Sequence, residues 1–231
     1  MTEALLDDLL IVDLSRGVAG GYCCLLFGRL GAQVIKVDEP GHFGKTKVLP
    51  YVLPYIHAGK KSITLANSKA EGAALLLRLA ERADVLVTDA TLPPGLDYAA
   101  LSRQNPRLIL TLVTPAPSNG DALFAEYFTG LNAFAATLLP LVNMSVLGRG
   151  QQVEVDGAEC LAAAAFAVDG QGQWPQPEAG EPFPPPLRVA GQAGGPAPTA
   201  ANPGEHNDEV YRGLLGLSAE ELARLKEASV I

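Results

Sequence analysis

The first candidate for a chemical role is a glycine-bearing turn near the N-terminus, within LSRGVAGGY at residues 14–22. β-branched residues precede the turn and a helical pattern follows it, so it joins a strand to the start of a helix. Backbone N–H groups at such a helix N-terminus bind anions. The glycines at 17, 20 and 21 do not form G-x-G-x-x-G, so they indicate a dinucleotide site only weakly. A turn that needs glycine for its geometry alone is the alternative interpretation.

The second candidate is a cation-rich stretch at residues 40–70, which contains no Asp or Glu. In a chain with a net charge of −8, this stretch concentrates positive charge near the end of the second predicted strand. Lysine ammonium groups bind phosphate, so the stretch favours a phosphate-rich ligand lying across this edge. A solvated loop with unrelated lysines is the alternative. The lysines concerned are Lys45, Lys47, Lys60, Lys61 and Lys69.

Cysteine and histidine do not indicate a metal site. Cys23 and Cys24 are adjacent on a predicted helix and point apart, and His42, His57 and His206 are far apart in sequence. Three cysteines give no disulfide framework and fit a reducing compartment. The acidic N-terminal residues do not resemble a signal peptide. We therefore expect a cytoplasmic protein without a metal.

Composition narrows the classes of partner. The net charge of −8 argues against a nucleic-acid binder, because no basic field would attract a polyanion. No stretch approaches the roughly 18 unbroken apolar residues of a membrane helix, so we expect no membrane partner. With 48% hydrophobic and 18% charged residues, the chain reads as globular.

Strand and helix patterns alternate along the first two thirds of the chain. A strand, a helix and a second strand form a βαβ unit, whose right-handed crossover implies a parallel sheet. The alternation predicts an α/β fold with a Rossmann-like, doubly wound parallel sheet. The predicted strands are 9–15, 32–38, 84–89, 107–113 and 152–155. Helices are predicted from 18 to Gly31, over 70–83, before Pro106 and over 127–147.

Capping signals place three of the helix starts. Ser68 with Glu71, and Ser218 with Glu221, have the spacing of a capping box. Asp97 is the predicted N-cap of the short helix that ends before Pro106.

The predicted organisation is a Rossmann-like large domain at 1–169, a linker at 170–203 and a C-terminal helical segment at 204–231. The linker holds nine prolines and six glycines in 34 residues, which cannot sustain a helix or a central strand. Leu222 and Leu225 give the last helix an apolar side. Because so short a helix is marginal alone, we expect it to dock back on the sheet.

Several segments, in order, resemble the family III CoA-transferases (the CaiB/BaiF group, which includes formyl-CoA transferase and α-methylacyl-CoA racemase). The matching segments are VDLSRGVAGGY…LGAQVIKVDEPG, GKKSITL with AEGAALLLRLAERADVLV, GLDYAALSRQNPRLI, LGRGQQVEVDGAECL and GEHNDEVYRGLLGLSAEELARLKEASVI. Together they cover most of residues 9–169 and 204–231. The family's small domain has no counterpart, so the chain resembles a shortened form in which 170–203 takes that domain's place.

The resemblance implies an interlocked dimer with coenzyme A lying across the N-terminal half, acting on an acyl-CoA and a carboxylic acid. A hetero-oligomer with a full-length homologue is a further possibility. The residues that match the family's first CoA-contacting turn are Ser15, Arg16, Gly17, Val18 and Ala19, and those that match a segment near the CoA nucleotide are Asn67, Ser68 and Lys69.

Glu126 stands where the family has its catalytic aspartate, 22 positions before Gly148, and Gly130 matches a helix glycine. In the transferases that carboxylate attacks the acyl-CoA to give a mixed anhydride and then an enzyme thioester. In the racemases it belongs to an acid–base pair that moves the α-proton. The extra methylene displaces the carboxylate by about 1 Å, which alone would cost about 100-fold in rate. An ordinary surface glutamate is the alternative interpretation.

The predicted function is therefore acyl-CoA chemistry, either CoA transfer to a carboxylate or α-proton chemistry. Two alternatives stay open: a catalytically degenerate paralogue that serves as a binding or assembly partner, and a tailoring enzyme that uses the cleft without CoA. The racemase histidine has no counterpart, and DVLVTDATLPPG lacks the arginine and the Asn-Phe pair of the family segment.

Overall fold

The computed structural model describes residues 4–41, 52–89, 91–116, 122–167 and 199–231. The strands among them are β1 (Leu10–Asp13), β2 (Gln33–Asp38), β3 (Lys61–Thr64), β4 (Val85–Thr88), β5 (Ile109–Thr114) and β6 (Gln152–Asp156). The helices are α1 (Val18–Arg29), α2 (Val52–Ile56), α3 (Ala70–Arg82), α4 (Tyr98–Gln104), α5 (Ala122–Leu147), α6 (Gly157–Ala167) and α7 (Ala219–Glu227), with a π-helical turn at Glu209–Leu214.

The six strands form one sheet in the order β3-β2-β1-β4-β5-β6, and every pairing is parallel. This order confirms the predicted doubly wound α/β fold. The chain leaves β1 towards β2 on one side and later returns to place β4 on the other side. The carboxyl ends of β1 and β4 thus form the topological switch point, where open α/β sheets bind their ligands.

Helices cover both faces of the sheet, so its strands are apolar on both sides. One core holds α1, α2 and the inner side of α5, and the other holds α3, α4, the π-helical turn and α7. Helix α1 is buried all round from Val18 to Phe27, not on one face as its spacing predicts, because α5 packs over its outer side. Tyr22 meets Tyr127, and Phe27 meets Phe134, edge to face, each pair with ring centroids 4.7 Å apart.

Two of the three predicted caps are confirmed. The Asp97 side chain accepts from the Ala100 N–H, and Ser218 and Glu221 form the reciprocal capping box of α7. The box predicted at Ser68 is wrong. Helix α3 begins one residue later, with Lys69 at the cap position and no side-chain cap.

The C-terminal segment docks on the sheet, as predicted. The Tyr211 hydroxyl donates to the Thr64 carbonyl at 2.7 Å, and the Ala66 N–H donates to the Val230 carbonyl at 2.6 Å. Leu222 and Leu225 are buried in the same core as α3. Residues 170–198, which make up most of the predicted linker, lie outside the described residues. At its end, the Gly59 N–H donates to the Thr199 carbonyl at 3.1 Å.

Helix α5 corrects the expectation that nothing in the chain approaches a membrane-spanning segment. By length and composition alone, Leu123–Leu147 is long and apolar enough to cross a membrane. Its most apolar stretch of 18 residues has a mean hydropathy of 1.5, and 28% of that stretch is buried. Helices that pack in the core of a soluble protein pass the same test, and α5 packs on α1 and on β5 and β6. The apolar residues that stay exposed on α5 are described further below.

Candidate active site

Two carboxylates converge on the N-terminus of α1, at the switch point of the sheet. Asp89 directly follows β4, and its side chain accepts the Arg16 N–H at 2.7 Å and the Gly17 N–H at 2.6 Å. Glu126, in the second turn of α5, accepts the Ala19 N–H at 3.0 Å and also the Ala116 N–H. The anion-binding amides of the predicted turn therefore hold two side-chain carboxylates of the protein.

Glycine at position 17 lets these carboxylates come close. A Cβ atom there would lie 2.9 Å from Asp89 Oδ2 and 3.7 Å from Glu126 Oε2. The first distance is shorter than real Cβ contacts, so a side chain would displace Asp89. Both carboxylates border the same small space beside the α1 backbone.

The surroundings of the pair shift both carboxyl groups in the same direction. Burial raises the pKa of Glu126 and the negative charge of Asp89 raises it further, whereas the bound amides lower it. Burial likewise raises the pKa of Asp89, against the lowering effect of its two N–H donors. Raised pKa values make a carboxylate a stronger base and let a neighbouring carboxyl carry a proton closer to neutral pH. The arrangement suits nucleophilic or acid–base chemistry.

A close helix contact fixes the position of Glu126. A Cβ atom on Gly130 would lie 2.5 Å from the Ala19 carbonyl oxygen, so only glycine lets α5 approach α1 this closely. Glu126 lies one helical turn before Gly130 and reaches the Ala19 N–H. This contact gives a physical reason for the helix glycine that the sequence comparison singled out.

A buried ion pair between Lys60 and Asp13 stabilises the turn that joins β1 to α1. Lys60 Nζ lies 2.7 Å from Asp13 Oδ2 and donates to the Gly21 carbonyl at 2.8 Å, and both ionic side chains are at most 2% exposed. Burial alone would raise the pKa of Asp13, but Lys60 and then Lys36 hold it well below its usual range. The other Asp13 oxygen accepts from the N–H and the hydroxyl of Ser15. A charged Asp13 therefore anchors the strand-to-helix turn.

The structure divides the predicted CoA-contacting turn into buried and accessible parts. The Ser15 side chain is committed to Asp13, and Val18 and Ala19 are buried. Gly17 offers its N–H to Asp89. The Arg16 guanidinium is exposed and pairs with Glu39 at 3.0 Å.

The second predicted segment lies near Glu39 as well. The Ser68 hydroxyl donates to Glu39 Oε1 at 3.3 Å, so one carboxylate connects Ser68 with Arg16. Lys69 donates to the carbonyls of Ala228 and Ser229 at 2.6 and 3.1 Å, and Asn67 is half-buried beside it. Of the predicted site residues, Gly17 and Ala19 thus lie beside the Glu126 carboxylate, and Arg16 and Ser68 meet at Glu39. Lys69 is held by the C-terminal segment instead. Their assignment to CoA stays a prediction.

The cation-rich stretch is less open than its composition suggests. Lys60 is buried with Asp13, Lys61 pairs with Glu209 at 2.6 Å, and Lys69 holds the C-terminal carbonyls. Lys45 and Lys47 lie outside the described residues. Each lysine of the stretch that the structure describes already has a partner in the chain.

Asp89 is the site residue that sequence reasoning missed. It was visible only as the last letter of the strand pattern DVLVTD, and the family comparison marked its neighbourhood as divergent. The signal that could have found it is topological. In a doubly wound sheet the fourth strand lies beside the first, so a carboxylate directly after it faces the first turn.

An open cleft of about 610 Å³ lies beside the carboxylate pair. Its floor is formed by the ends of β4 and β5, and its wall by residues 91–97 and the start of α4. Asp89 and Pro115 line it, and Ala116, which follows Pro115, donates to Glu126. Among the residues that the structure describes, no three His, Cys, Asp or Glu side chains form a group that could hold a metal.

Comparisons with known proteins identify relatives of this site and fold. Residues 6–123 match the model of CoA-transferase family III. The chain is 36% identical over 148 residues to the acetyl-CoA:oxalate CoA-transferase of Acetobacter aceti, covering 58% of this chain and 37% of that protein. It is 32% identical over 184 residues to the succinate–glutarate CoA-transferase of Agrobacterium fabrum, covering 70% and 42%. With the human α-methylacyl-CoA racemase it shares 33% identity over 120 residues, covering 50% and 30%.

A solved structure agrees with these matches. The crystal structure of a CaiB/BaiF family protein from Brucella suis superimposes with a TM-score of 0.62 at 28% identity, covering 70% of this chain and 55% of that one. This chain spans less than half the length of the three curated relatives. The family match nevertheless extends over half of the chain and includes the strands and the turn that build the site. The chain belongs to CoA-transferase family III.

Proposed function

We propose that the protein binds an acyl-CoA at the switch point and that Glu126 performs the chemistry on its acyl group. The observation that carries this proposal is the position of the Glu126 carboxylate, held by the Ala19 N–H at the end of the sheet where doubly wound folds bind ligands. Family membership supplies acyl-CoA as the substrate class.

In the transfer reaction, a Glu126 oxygen attacks the thioester carbonyl and expels the CoA thiolate, which gives a mixed anhydride. The thiolate then attacks the Glu126 carbonyl, which releases the carboxylic acid and leaves a thioester on the enzyme. A second carboxylate reverses these steps and leaves as the new acyl-CoA. The Ala19 and Ala116 N–H groups orient the carboxylate for the first attack.

Exchange of an α-proton is the second candidate, and the neighbouring Asp89 favours it. One carboxylate would accept the proton from the α-carbon, with the electron pair delocalised into the thioester carbonyl, and the other would return a proton. Asp89 and Glu126 border one space, and burial raises the pKa of both, which favours a state in which one carboxyl holds a proton while the other is ionised. The human relative named α-methylacyl-CoA racemase supports this second candidate.

The CoA nucleotide is proposed to lie against the group around Glu39. The Arg16 guanidinium is 62% exposed there, so it is free to exchange Glu39 for a phosphate oxygen. Asn67, Ser68 and Lys69 border the same position in the proposal. Calorimetric titration of the purified chain with CoA tests this step alone, and no heat at millimolar CoA would contradict it.

The role of Glu126 is tested with two substitutions and a control. Glu126→Gln should lower transfer from acyl-CoA to a carboxylate, or deuterium exchange at the α-carbon in D₂O, by at least about 1,000-fold. Glu126→Asp keeps the charge but withdraws the carboxylate by about 1 Å, and should lose about 100-fold. Glu81→Gln, on the exposed side of α3, should keep full activity. Unchanged rates in Glu126→Gln would contradict the proposal.

Self-association is proposed to cover the exposed apolar surface of α5. Helix α5 exposes a row of large apolar residues, which a stable monomer rarely leaves in water. We propose that a second copy of this chain covers that row. A full-length homologue as the partner and a cytoplasmic location stay predictions. The exposed residues are Leu131, Leu139, Val142, Val146 and Leu147.

A further inference from the structure

The cleft beside the carboxylate pair carries information about the acyl group. Its described lining combines apolar side chains, including Leu92, Leu112 and Val113, with two carboxylates, Asp89 and Asp97. It includes no Lys, Arg or His. An acyl chain that entered it would meet apolar surface and negative charge.

The sequence around the cleft has the same character. Residues 83–102 and 108–148 contain no Lys, Arg or His at all. These two stretches include β4, β5, the wall of the cleft and all of α5. Apart from Gln152 in β6, the lining residues of the cleft thus come from stretches that contain no cation.

Among the residues that the structure describes, the cations of the neighbouring elements have partners or lie outside the lining of the cleft. The Arg16 side chain lies at Glu39, where the CoA nucleotide is proposed to bind, so the nucleotide would occupy it when the ligand is bound. Lys36 Nζ donates to the Ser15 and Val37 carbonyls and pairs with Asp38. Arg149, after α5, is near enough to lower the pKa of Tyr98 against the raising effect of burial, but it does not line the cleft. A carboxylate at the end of an acyl chain in this cleft would meet the negative charges of Asp89 and Asp97, and no cation among the described lining residues would neutralise it.

We propose that this cleft receives the acyl group and that it selects an uncharged, apolar acyl chain over one that ends in a carboxylate. The proposal rests on the proposed function. It departs from the dicarboxylates, such as oxalate, succinate and glutarate, in the names of several relatives. A carboxylate held without a counter-ion near Asp89 is disfavoured by its desolvation and by like-charge repulsion.

Butyryl-CoA and succinyl-CoA test the inference, because both acyl chains have four carbons and differ in the terminal carboxylate. Calorimetry and turnover of the full chain should favour butyryl-CoA by at least about tenfold in Kd and in kcat/KM. Thr114→Lys places a cation at the end of β5 inside the cleft, and Thr91→Lys places one on its wall. Each should reduce the preference by about tenfold.

Gln104→Lys is the matched control, since it adds the same charge at an exposed position at the end of α4. It should leave the preference unchanged.

Free CoA is titrated alongside. If CoA binds and succinyl-CoA is equal to or better than butyryl-CoA, the inference is wrong and the proposed function stands. If lysine at 114 and at 91 leaves the ratio unchanged in folded protein, the acyl group does not enter this cleft. If neither CoA nor either thioester binds, both proposals fail.

Discussion

At the residue scale, His57 is a buried imidazole that makes the stability of the folded protein depend on pH. Its Nδ1 is buried and has no hydrogen-bond partner among the described residues. Burial, and then the positive charge of Lys60, lower the pKa of His57 to about 3, while Asp13 opposes this and Lys36 adds to it. In the folded protein, the His57 imidazole is therefore neutral at neutral pH.

This shift predicts a loss of stability in mild acid. Between the unfolded pKa of 6.5 and the folded pKa of about 3, the unfolded chain binds the proton and the folded protein does not. The free energy of unfolding should therefore fall with falling pH in this window, by up to about 1.4 kcal/mol per pH unit. Chemical denaturation at several pH values measures it. His57→Leu should flatten the slope, and an identical slope in that variant would contradict the prediction.

The two carboxylates of the site differ in how far the sequence could identify them. The fixed distance of Glu126 from Gly148 in a known family pattern predicts a site role for it, which stays a prediction, and the structure places its carboxylate at the α1 N-terminus. Asp89 was not found, because its role depends on which strand lies beside β1. Strand order is a property of the whole sheet, and no local pattern encodes it. The buried partnership of Lys60 with Asp13 was missed for the same reason.

At the element scale, the fit between α1 and α5 depends on Gly130. Gly130→Ala would push a methyl group into the Ala19 carbonyl, so it should lower the free energy of unfolding by about 1–3 kcal/mol. It should also reduce activity, because Glu126 lies one turn away on the same helix. Denaturation and turnover measure the two effects.

Gly213→Ala is the control for this substitution. A Cβ atom on Gly213, in the π-helical turn, meets nothing within 4 Å. Its stability should stay within about 0.5 kcal/mol of the original protein. Equal effects at 130 and 213 would show that the α1–α5 contact has no special requirement for glycine.

Helix and strand positions were largely predictable, and the exceptions have local causes. β-branched runs bounded by turns marked five of the strands, whereas β3 has only four residues and was indicated by the family resemblance alone. The cap at Ser68 was wrong because the Ser68 hydroxyl bonds to Glu39, and Lys69 takes the cap position instead. Such competition between partners distant in sequence is invisible to spacing rules.

At the scale of the whole molecule, the exposed row on α5 predicts self-association. Val142 and Val146 are 75% and 81% exposed on the same side of the helix. Lysine at both positions should weaken a dimer by at least about 100-fold in Kd, because two lost valine contacts at about 1.5 kcal/mol each already cost that much and a dimer of identical chains carries each substitution twice. Sedimentation equilibrium measures this. Leu5→Lys, at another exposed apolar residue, should leave the dimer intact, and a monomeric original protein would contradict the prediction.

The docked C-terminal segment has a consequence for how the chain acquires its structure during translation. Tyr211, Leu225 and Val230 close the core over α3, yet they follow β3 by about 150 residues in sequence. On the ribosome, the sheet would therefore emerge with α3 and α4 on this face but with part of its core exposed until the C-terminal segment is synthesised. Non-local closure of this kind slows folding and leaves nascent chains open to chaperones and to aggregation.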